Sequence, residues 1–120
     1  MKKIVLAWCL SLSAFANGLS YEAILAKVGK EAMVLELGAS TCQACKEMKK
    51  TIDAAKAQNP DLSVYIIDLR ENREAAQRFK IQMIPTQVVL DKNGKEVYRH
   101  IGGTNSAGLL KMVELSKAGE

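Results

Sequence analysis

Cysteine is scarce in this sequence of 120 residues: there are three, and two of them, Cys42 and Cys45, are separated by only two residues. Small exported domains that depend on disulfides for their fold carry several bridges, so this class of protein is excluded. A bridge across two residues closes so small a loop that it constrains the unfolded chain little. The pair therefore favours redox chemistry over a purely structural role, which is kept as an alternative.

Histidine is scarcer still, since His100 is the only one. A structural zinc site needs four ligands, more than this histidine and the paired cysteines supply, so zinc is not expected. Two thiolates are sufficient to bind copper(I), which prefers soft ligands. A copper carrier therefore stays open as an alternative, although the sequence has neither a methionine-rich segment nor additional histidines. We expect His100 to lie on the solvated surface.

The sequence also lacks a large excess of charge of either sign. The sequence has 17 basic and 13 acidic residues, and the lysines are spread along the chain without forming a basic stripe. Nucleic acids and anionic membranes are bound by proteins with a larger and more clustered positive charge. We therefore expect no nucleic-acid partner.

No apolar run near the start is long enough to cross a membrane. Residues 4–16 carry no charge, follow Lys2 and Lys3, and end in Ala14-Phe15-Ala16. As a helix they would span roughly 20 Å, short of the roughly 30 Å of a bilayer core. A positive start, a short apolar run and a small-x-small ending are typical of a signal peptide. We predict cleavage after Ala16, which removes Cys9, and an uncleaved interfacial anchor is the alternative.

The rest of the chain, residues 17–120, has no repeats, low-complexity tracts or linkers, and we expect a single domain. Apolar spacing, capping residues and turn residues predict the following order of elements: helix 20–28, strand 32–37, helix 42–58, strand 63–69, helix 72–80, strand 86–90, strand 95–101 and a helix from 105. Four methionines are expected in the core: Met33, Met48, Met83 and Met112.

The order of these elements predicts an α/β fold. The helix that connects the first two strands implies a parallel pair, and Asn93-Gly94 is the strongest short signal for an antiparallel hairpin between the last two. We therefore expect a central four-stranded mixed sheet flanked by helices. Ser20 is expected to cap the first helix, Asn72 the third, and Asn105 or Thr104 the last one.

The cysteine pair lies where a predicted strand turns into a predicted helix. Cys42 is placed among the unpaired N–H groups at the positive end of the helix dipole, which stabilises a thiolate. A thiolate is the nucleophile in disulfide exchange, and Cys45, one turn into the helix, is close enough to attack the resulting mixed disulfide. The spacing predicts a two-step exchange.

The stretch 35–46, which contains Cys42-Gln43-Ala44-Cys45, and the later Ile84-Pro85-Thr86 resemble the thioredoxin family. The resemblance covers nearly all of residues 17–120. It implies the thioredoxin fold and a thiol–disulfide oxidoreductase that acts on the disulfides of client proteins. It also implies that no cofactor or metal is needed, because the exchange chemistry belongs to the sulfurs.

The resemblance assigns roles to particular residues. It makes Cys42 the attacking and Cys45 the resolving member of a redox-active disulfide. Pro85 is implied to be a cis proline beside the two sulfurs, which leaves the backbone of Ile84 free to pair with substrate. The loop at Gly102 is implied to approach the disulfide and admit substrate.

Glu36 stands six residues before Cys42, where the family carries a buried aspartate that moves the proton of the second cysteine. The sequence itself supports burial, because the side chains around Glu36 are apolar and both faces of a central strand are covered. The resemblance therefore implies proton transfer by Glu36. The alternative is an acid at a sheet edge whose carboxylate reaches solvent.

The chain departs from the family at two positions. Thr41 replaces the usual tryptophan before the first cysteine, which makes the substrate-facing surface more polar, and Lys50 stands where the family has a mid-helix proline. The form Cys-x-Ala-Cys-Lys is similar to the C-terminal domain of DsbD-type interchange proteins. This similarity implies a periplasmic electron relay recharged by a membrane thiol donor. We expect a monomer that works as a reductase, because Gln43 and Ala44 supply no charge to stabilise the thiolate, and a disulfide-forming oxidant is the alternative.

Overall fold

The computed structural model describes residues 18–119. The predicted signal peptide, residues 1–16, and Cys9 lie outside the described residues, so the cleavage stays a prediction. Helices and strands follow the predicted order: α1 Tyr21–Lys27, β1 Met33–Gly38, α2 Gln43–Gln58, β2 Val64–Asp68, α3 Glu74–Arg78, β3 Thr86–Leu90, β4 Glu96–Ile101 and α4 Ser106–Lys117.

The strands form one mixed four-stranded sheet in the order β2-β1-β3-β4. Strand β1 pairs in parallel with β2, because α2 carries the chain back across the sheet between them. It pairs antiparallel with β3, and β3 pairs antiparallel with β4 through the predicted hairpin. This arrangement confirms the expected α/β fold and makes β1 and β3 the two central strands.

Apolar side chains cover both faces of the sheet. On one face, α2 and α4 pack against the sheet through a buried cluster: Val34, Met48, Ile52, Leu62, Val64, Val89, Leu109, Met112 and Val113. On the other face, α1 and α3 contribute to a second cluster: Ile24, Met33, Leu35, Leu37, Ile67, Ala75, Val88 and Leu90. Strand β1 supplies residues to both clusters, and all six of its residues are buried.

Two predicted caps are present. The side-chain oxygen of Ser20 accepts a hydrogen bond from the backbone N–H of Ala23 at the start of α1, and Asn105 accepts one from Gly108 at the start of α4. Each satisfies an N–H group that has no partner inside its helix. In the hairpin between β3 and β4, Gly94 has a φ of +83°, a conformation that glycine adopts without strain.

Helix α3 differs from its prediction. It spans Glu74–Arg78 instead of residues 72–80, and Asn72 does not cap it. The Asn72 side chain instead donates to the backbone oxygen of Asp68, which secures the turn after β2. Lys80, expected inside the helix, has a φ of +53°, so the chain has already turned away from helical geometry there.

The core prediction is wrong for one methionine. Met33, Met48 and Met112 are buried, but Met83 is 63% exposed. It lies in the loop before Pro85, where no helical or strand periodicity applies. None of the helices between residues 18 and 119 is long and apolar enough to cross a membrane.

Candidate active site

Most of the predicted site residues lie at one end of the sheet. The register pairs Leu37 of β1 with Thr86 of β3, and Thr86 with Ile101 of β4. The next residues along these strands are Gly38, Pro85 and Gly102, which therefore lie side by side. Consistent with this, the backbone N–H of Gly102 donates to the carbonyl oxygen of Pro85 over 2.8 Å.

Cys42 is the N-cap of α2, immediately after the turn that follows β1. It forms a disulfide with Cys45, and the two Cα atoms are 5.1 Å apart. The backbone N–H of Cys45 donates to Sγ of Cys42 over 3.2 Å. The first turn of the helix therefore directs a hydrogen-bond donor at this sulfur, which stabilises negative charge on it.

The two cysteines differ in their exposure. Cys42 is partly exposed, whereas Cys45 is buried at 8% exposure. Cys45 packs directly against the end of β1, since a Cβ atom placed on Gly38 would lie 2.8 Å from its sulfur. Glycine at this position is what allows the helix to start so close to the strand, a requirement that the sequence analysis missed.

Glu36 lies on β1, two residues before Gly38, and is only 2% exposed. The predicted burial is therefore confirmed. One carboxyl oxygen accepts a hydrogen bond from Nε2 of Gln87 over 2.7 Å, and the other, Oε2, has no partner in the described part of the chain. Burial raises the pKa of Glu36 to about 7, although the hydrogen bond from Gln87 opposes the change. Its role in proton transfer stays a prediction.

Glu36 and Cys45 line the same cavity, which has a volume of about 230 Å³. The lining also includes Gly38 and Ile66, together with the polar groups of Lys46, Lys49 and Asp68. The structure thus brings the buried carboxyl and the buried cysteine together at one site. A carboxyl with a pKa near neutral beside a thiol is suited to moving a proton.

Two polar residues near Glu36 were not singled out by the sequence analysis. Gln87 is fully buried in β3, and its side-chain oxygen lies 2.7 Å from Nδ1 of His100 on β4. His100 is therefore partly buried and hydrogen-bonded, and its predicted position in solvent is wrong. The signal available for Gln87 was a polar residue within the predicted strand 86–90, directly before the apolar run Val88–Leu90.

The proline expected at the site has the implied conformation. The peptide bond between Ile84 and Pro85 is cis, and Pro85 is buried. Within residues 18–119, neither the backbone N–H nor the backbone C=O of Ile84 takes part in a hydrogen bond. Thr41, beside Cys42, is exposed. The substrate-binding roles of Ile84, Pro85, Thr41 and Gly102 stay predictions.

Apolar side chains surround this end of the sheet on the solvent side. Met83, Ile84 and Ile101 are all exposed, and they flank Pro85 and Gly102 in sequence. Between residues 18 and 119, no three side chains of His, Cys, Asp or Glu are grouped in a way that could hold a metal ion.

Comparisons with known proteins agree on one family. The sequence profile of the family Thioredoxin matches residues 13–115. A thioredoxin of Geodia cydonium is 33% identical over 98 residues, which are 81% of this chain and 91% of the relative. Thioredoxin-2 of Saccharomyces cerevisiae is 31% identical over 87 residues, which are 72% of this chain and 82% of the relative.

Solved structures give the same result for the fold. Thioredoxin NaTrxh from Nicotiana alata superposes with a TM-score of 0.67 and 29% identity, covering 80% of this chain and 83% of the other. Fasciola hepatica thioredoxin superposes with a TM-score of 0.65 and 26% identity, covering 80% of this chain and 89% of the other.

Proposed function

This chain belongs to the thioredoxin family and is a thiol–disulfide oxidoreductase with its cysteine pair at Cys42 and Cys45, and we propose that it is an exported reductase. In this proposal it works in the periplasm as a monomer and reduces the disulfides of client proteins. A thiol donor in the membrane returns it to the dithiol form.

The environment of Cys42 is the observation that supports the proposed direction of electron flow, from this protein to its clients. Within its own loop, a Cys42 thiolate is stabilised only by the start of α2, where the N–H of Cys45 donates to its sulfur. Gln43 and Ala44, between the cysteines, are uncharged. Strong oxidants stabilise the thiolate heavily and so favour their own reduced form. Without such stabilisation, the dithiol gives its electrons away readily, as a reductase requires.

The reaction transfers two electrons in two exchange steps. The Cys42 thiolate attacks one sulfur of the client disulfide, a Cys42–client bond forms, and the other client sulfur leaves as a thiolate. Cys45 then loses its proton and attacks Sγ of Cys42. The Cys42–Cys45 bond forms, the second client sulfur leaves, and the client has become a dithiol while this protein has become the disulfide.

Glu36 is proposed to accept the proton of Cys45 in the second step. It lines the same cavity as Cys45, and its carboxyl is buried with a pKa of about 7. Near neutral pH, about half of the molecules hold the carboxylate, which accepts a proton, and half hold the acid, which returns one. A general base performs best when its pKa is close to the working pH.

The exposed apolar side chains next to Pro85 and Gly102 are proposed to receive the client. Met83, Ile84 and Ile101 provide apolar contacts, and the unpaired backbone of Ile84 provides hydrogen-bonding groups for an extended segment. Backbone pairing recognises any extended chain, so it supports activity on several clients. Thr41 gives the side next to Cys42 a more polar character.

Export and the membrane donor rest on the sequence alone. The apolar run 4–16 with its Ala14-Phe15-Ala16 ending supports export, and the form Cys-Gln-Ala-Cys-Lys supports a relay of the DsbD type. Outside the cytoplasm the protein has no access to cytoplasmic reductants, so its electrons have to come from another protein.

The redox potential tests the reductase proposal. The protein is equilibrated with glutathione buffers, and the thiol content is read by alkylation. We expect a potential nearer the roughly −270 mV of thioredoxin than the roughly −120 mV of a strong oxidant. As a matched control, Gln43→His introduces a positive charge beside the thiolate and is expected to raise the potential by several tens of millivolts, because about 30 mV corresponds to about 1.4 kcal/mol.

The alternatives have their own outcomes in the same experiment. A potential above about −170 mV, with oxidation of a reduced peptide in preference to reduction of insulin, identifies an oxidant. Copper bound stoichiometrically by the reduced protein, without insulin reduction, identifies a copper carrier.

A further inference from the structure

A row of four side chains crosses the sheet next to the disulfide. Glu36 of β1 pairs with Ile66 of β2 and with Gln87 of β3, and Gln87 pairs with His100 of β4. The four side chains lie on the face covered by α2 and α4, because residues two positions away in β1, β2 and β3 belong to that core. Three of the four side chains, those of Glu36, Gln87 and His100, are polar, whereas the buried cluster on this face is mostly apolar.

The hydrogen bonds in this row have a defined direction. Nε2 of Gln87 donates to Oε1 of Glu36 over 2.7 Å, and Oε1 of Gln87 lies 2.7 Å from Nδ1 of His100. An amide oxygen can only accept, so Nδ1 of His100 must carry a hydrogen. With a hydrogen on Nδ1, His100 stabilises the orientation of the Gln87 amide that presents an N–H group to one oxygen of Glu36.

This direction determines where Glu36 holds a proton. Because Oε1 already accepts an N–H group, the proton of the neutral carboxyl resides on Oε2. Oε2 is buried and has no hydrogen-bond partner among residues 18–119. Glu36 and Cys45 line the same cavity. Oε2, the oxygen that is free to bind a proton, therefore belongs to a carboxyl that lies beside the buried cysteine.

We propose that Gln87 and His100 are positioning residues that keep Oε2 of Glu36 available for the thiol proton of Cys45. This proposal rests on the role proposed above for Glu36. In the resolving step the proton leaves Sγ of Cys45 and binds Oε2, the Cys42–Cys45 bond forms, and the bond from Cys42 to the client breaks. Gln87 and His100 touch none of the reacting atoms and act through Glu36.

The other ionisable groups that line the cavity are Lys46 and Lys49 from α2 and Asp68 from β2. His100, on β4, reaches Glu36 only through Gln87. Burial raises the pKa of Glu36, and the hydrogen bond from Gln87 is the interaction that lowers it. Removal of that hydrogen bond is therefore expected to raise the pKa further, because the charged carboxylate loses its donor.

The test is a single-turnover assay on the full chain with Gln87→Met, which keeps the length of the side chain but removes the amide. Cys42 is first joined to 5-thio-2-nitrobenzoate as a mixed disulfide, and attack by Cys45 releases the coloured thiolate. In the unsubstituted protein we expect the rate to rise with pH through the pKa of Glu36. In Gln87→Met we expect the midpoint to move up by about one pH unit, with a roughly fivefold slower release at pH 7.

Matched variants separate positioning from loss of stability. Val89→Ala lies on the same strand and face and creates a cavity without touching the row, so its midpoint should not move. His100→Phe should move the midpoint in the same direction as Gln87→Met, and His100→Gln, which can still donate, should restore it. In a Glu36→Gln background, Gln87→Met should leave the remaining pH profile, which reflects the ionisation of the Cys45 thiol, unchanged.

The outcomes distinguish this proposal from the one on which it rests. If Glu36→Gln removes the midpoint that belongs to Glu36, so that the rate follows only the ionisation of the Cys45 thiol, but Gln87→Met keeps the original midpoint, positioning is overturned and the role of Glu36 stands. If Glu36→Gln keeps the original profile, the role of Glu36 itself is overturned. NMR of the His100 ring above the pKa of Glu36 gives a second readout: hydrogen on Nδ1 supports the proposed direction, and a neutral ring with hydrogen only on Nε2 contradicts it.

Discussion

At the scale of single residues, the two cysteines are distinguished by where α2 begins. Cys42 precedes the first turn and is partly exposed, whereas Cys45 lies inside that turn and is buried. A client disulfide has to approach from solvent, so only the sulfur of Cys42 is open to it. The proposed roles, Cys42 as the attacking and Cys45 as the resolving cysteine, therefore follow from the position of the helix start.

We predict that Cys45→Ser traps clients as mixed disulfides and that Cys42→Ser traps none. Without Cys45 the first exchange step proceeds but the second cannot, so the Cys42–client bond persists. The trapped species are measured by non-reducing electrophoresis after rapid alkylation, and Cys42→Ser is the matched control. Equal capture by the two variants would show that the roles are assigned wrongly.

The carboxyl of Glu36 makes stability depend on pH. Burial raises its pKa to about 7 in the folded protein, above the roughly 4.3 of an unfolded chain. Between these values the folded state binds more protons than the unfolded state, so stability falls as the pH rises toward about 7. Above about 7 the full cost of the buried charge is present, and below about 4 none of it is.

We predict that Glu36→Gln stabilises the protein at pH 8 by on the order of 3 kcal/mol and has little effect at pH 4. The amide cannot ionise, and its oxygen can still accept the hydrogen bond from Gln87. Denaturant unfolding of the oxidised protein at the two pH values measures the difference. The same gain at both pH values would mean that the carboxyl titrates normally, as would an NMR titration near its ordinary pKa of about 4.3.

At the scale of elements, the contact between β1 and α2 decides how the disulfide is held. Cys45 lies against Gly38, and a Cβ atom at residue 38 would come within 2.8 Å of its sulfur and 3.2 Å of its Cβ. Such a contact requires either the sulfur or the start of the helix to move. In the disulfide the sulfur is fixed, whereas a free thiol can rotate away.

We therefore predict that Gly38→Ala destabilises the oxidised form by about 1–3 kcal/mol, more than the reduced form, and makes the protein a stronger oxidant. Thermal unfolding of both redox forms and the redox potential measure this. Gly103→Ala is the matched control, because a Cβ atom there meets nothing within 4 Å. An unchanged redox potential in Gly38→Ala would show that helix α2 and strand β1 move apart without a cost in free energy.

The elements themselves were predictable because each depends on local signals. Apolar spacing, the caps Ser20 and Asn105 and the turn at Asn93-Gly94 are read directly from the sequence, and those elements end close to where they were expected. Helix α3 was overestimated, because the Asn72 side chain binds a backbone oxygen of the preceding turn instead of capping the helix.

The parts of the site that were missed depend on contacts between distant strands. Glu36, Gln87 and His100 are far apart in the chain, and only the register of β1, β3 and β4 makes them neighbours. The need for glycine at residue 38 likewise appears only when α2 is placed on β1. Residue types alone identified the cysteine pair and the buried acid, but not what holds them.

At the scale of the whole molecule, the proposed export decides which redox partners the protein meets. We predict that the full chain, produced in a bacterium with a periplasm, accumulates there with Asn17 as its first residue. Intact-mass measurement and cell fractionation check this. Ala16→Leu should leave the precursor uncut, because the peptidase requires small residues at this site, and Phe15→Leu, at the tolerant position, is the control. A cytoplasmic product that begins at Met1 would contradict export.

The unequal exposure of the two cysteines also has a consequence for oxidative damage. Peroxide reaches the accessible Cys42 first and converts its thiolate to a sulfenic acid. Cys45 is protected from the oxidant, yet its Cα atom is only 5.1 Å from that of Cys42. Its thiol therefore condenses with the sulfenic acid, water leaves, and the ordinary disulfide forms before a second peroxide can drive Cys42 to the irreversible sulfinic state. The product is the same Cys42–Cys45 disulfide that forms in each catalytic cycle. The usual electron donor therefore reduces it, and the protein returns to its active dithiol form.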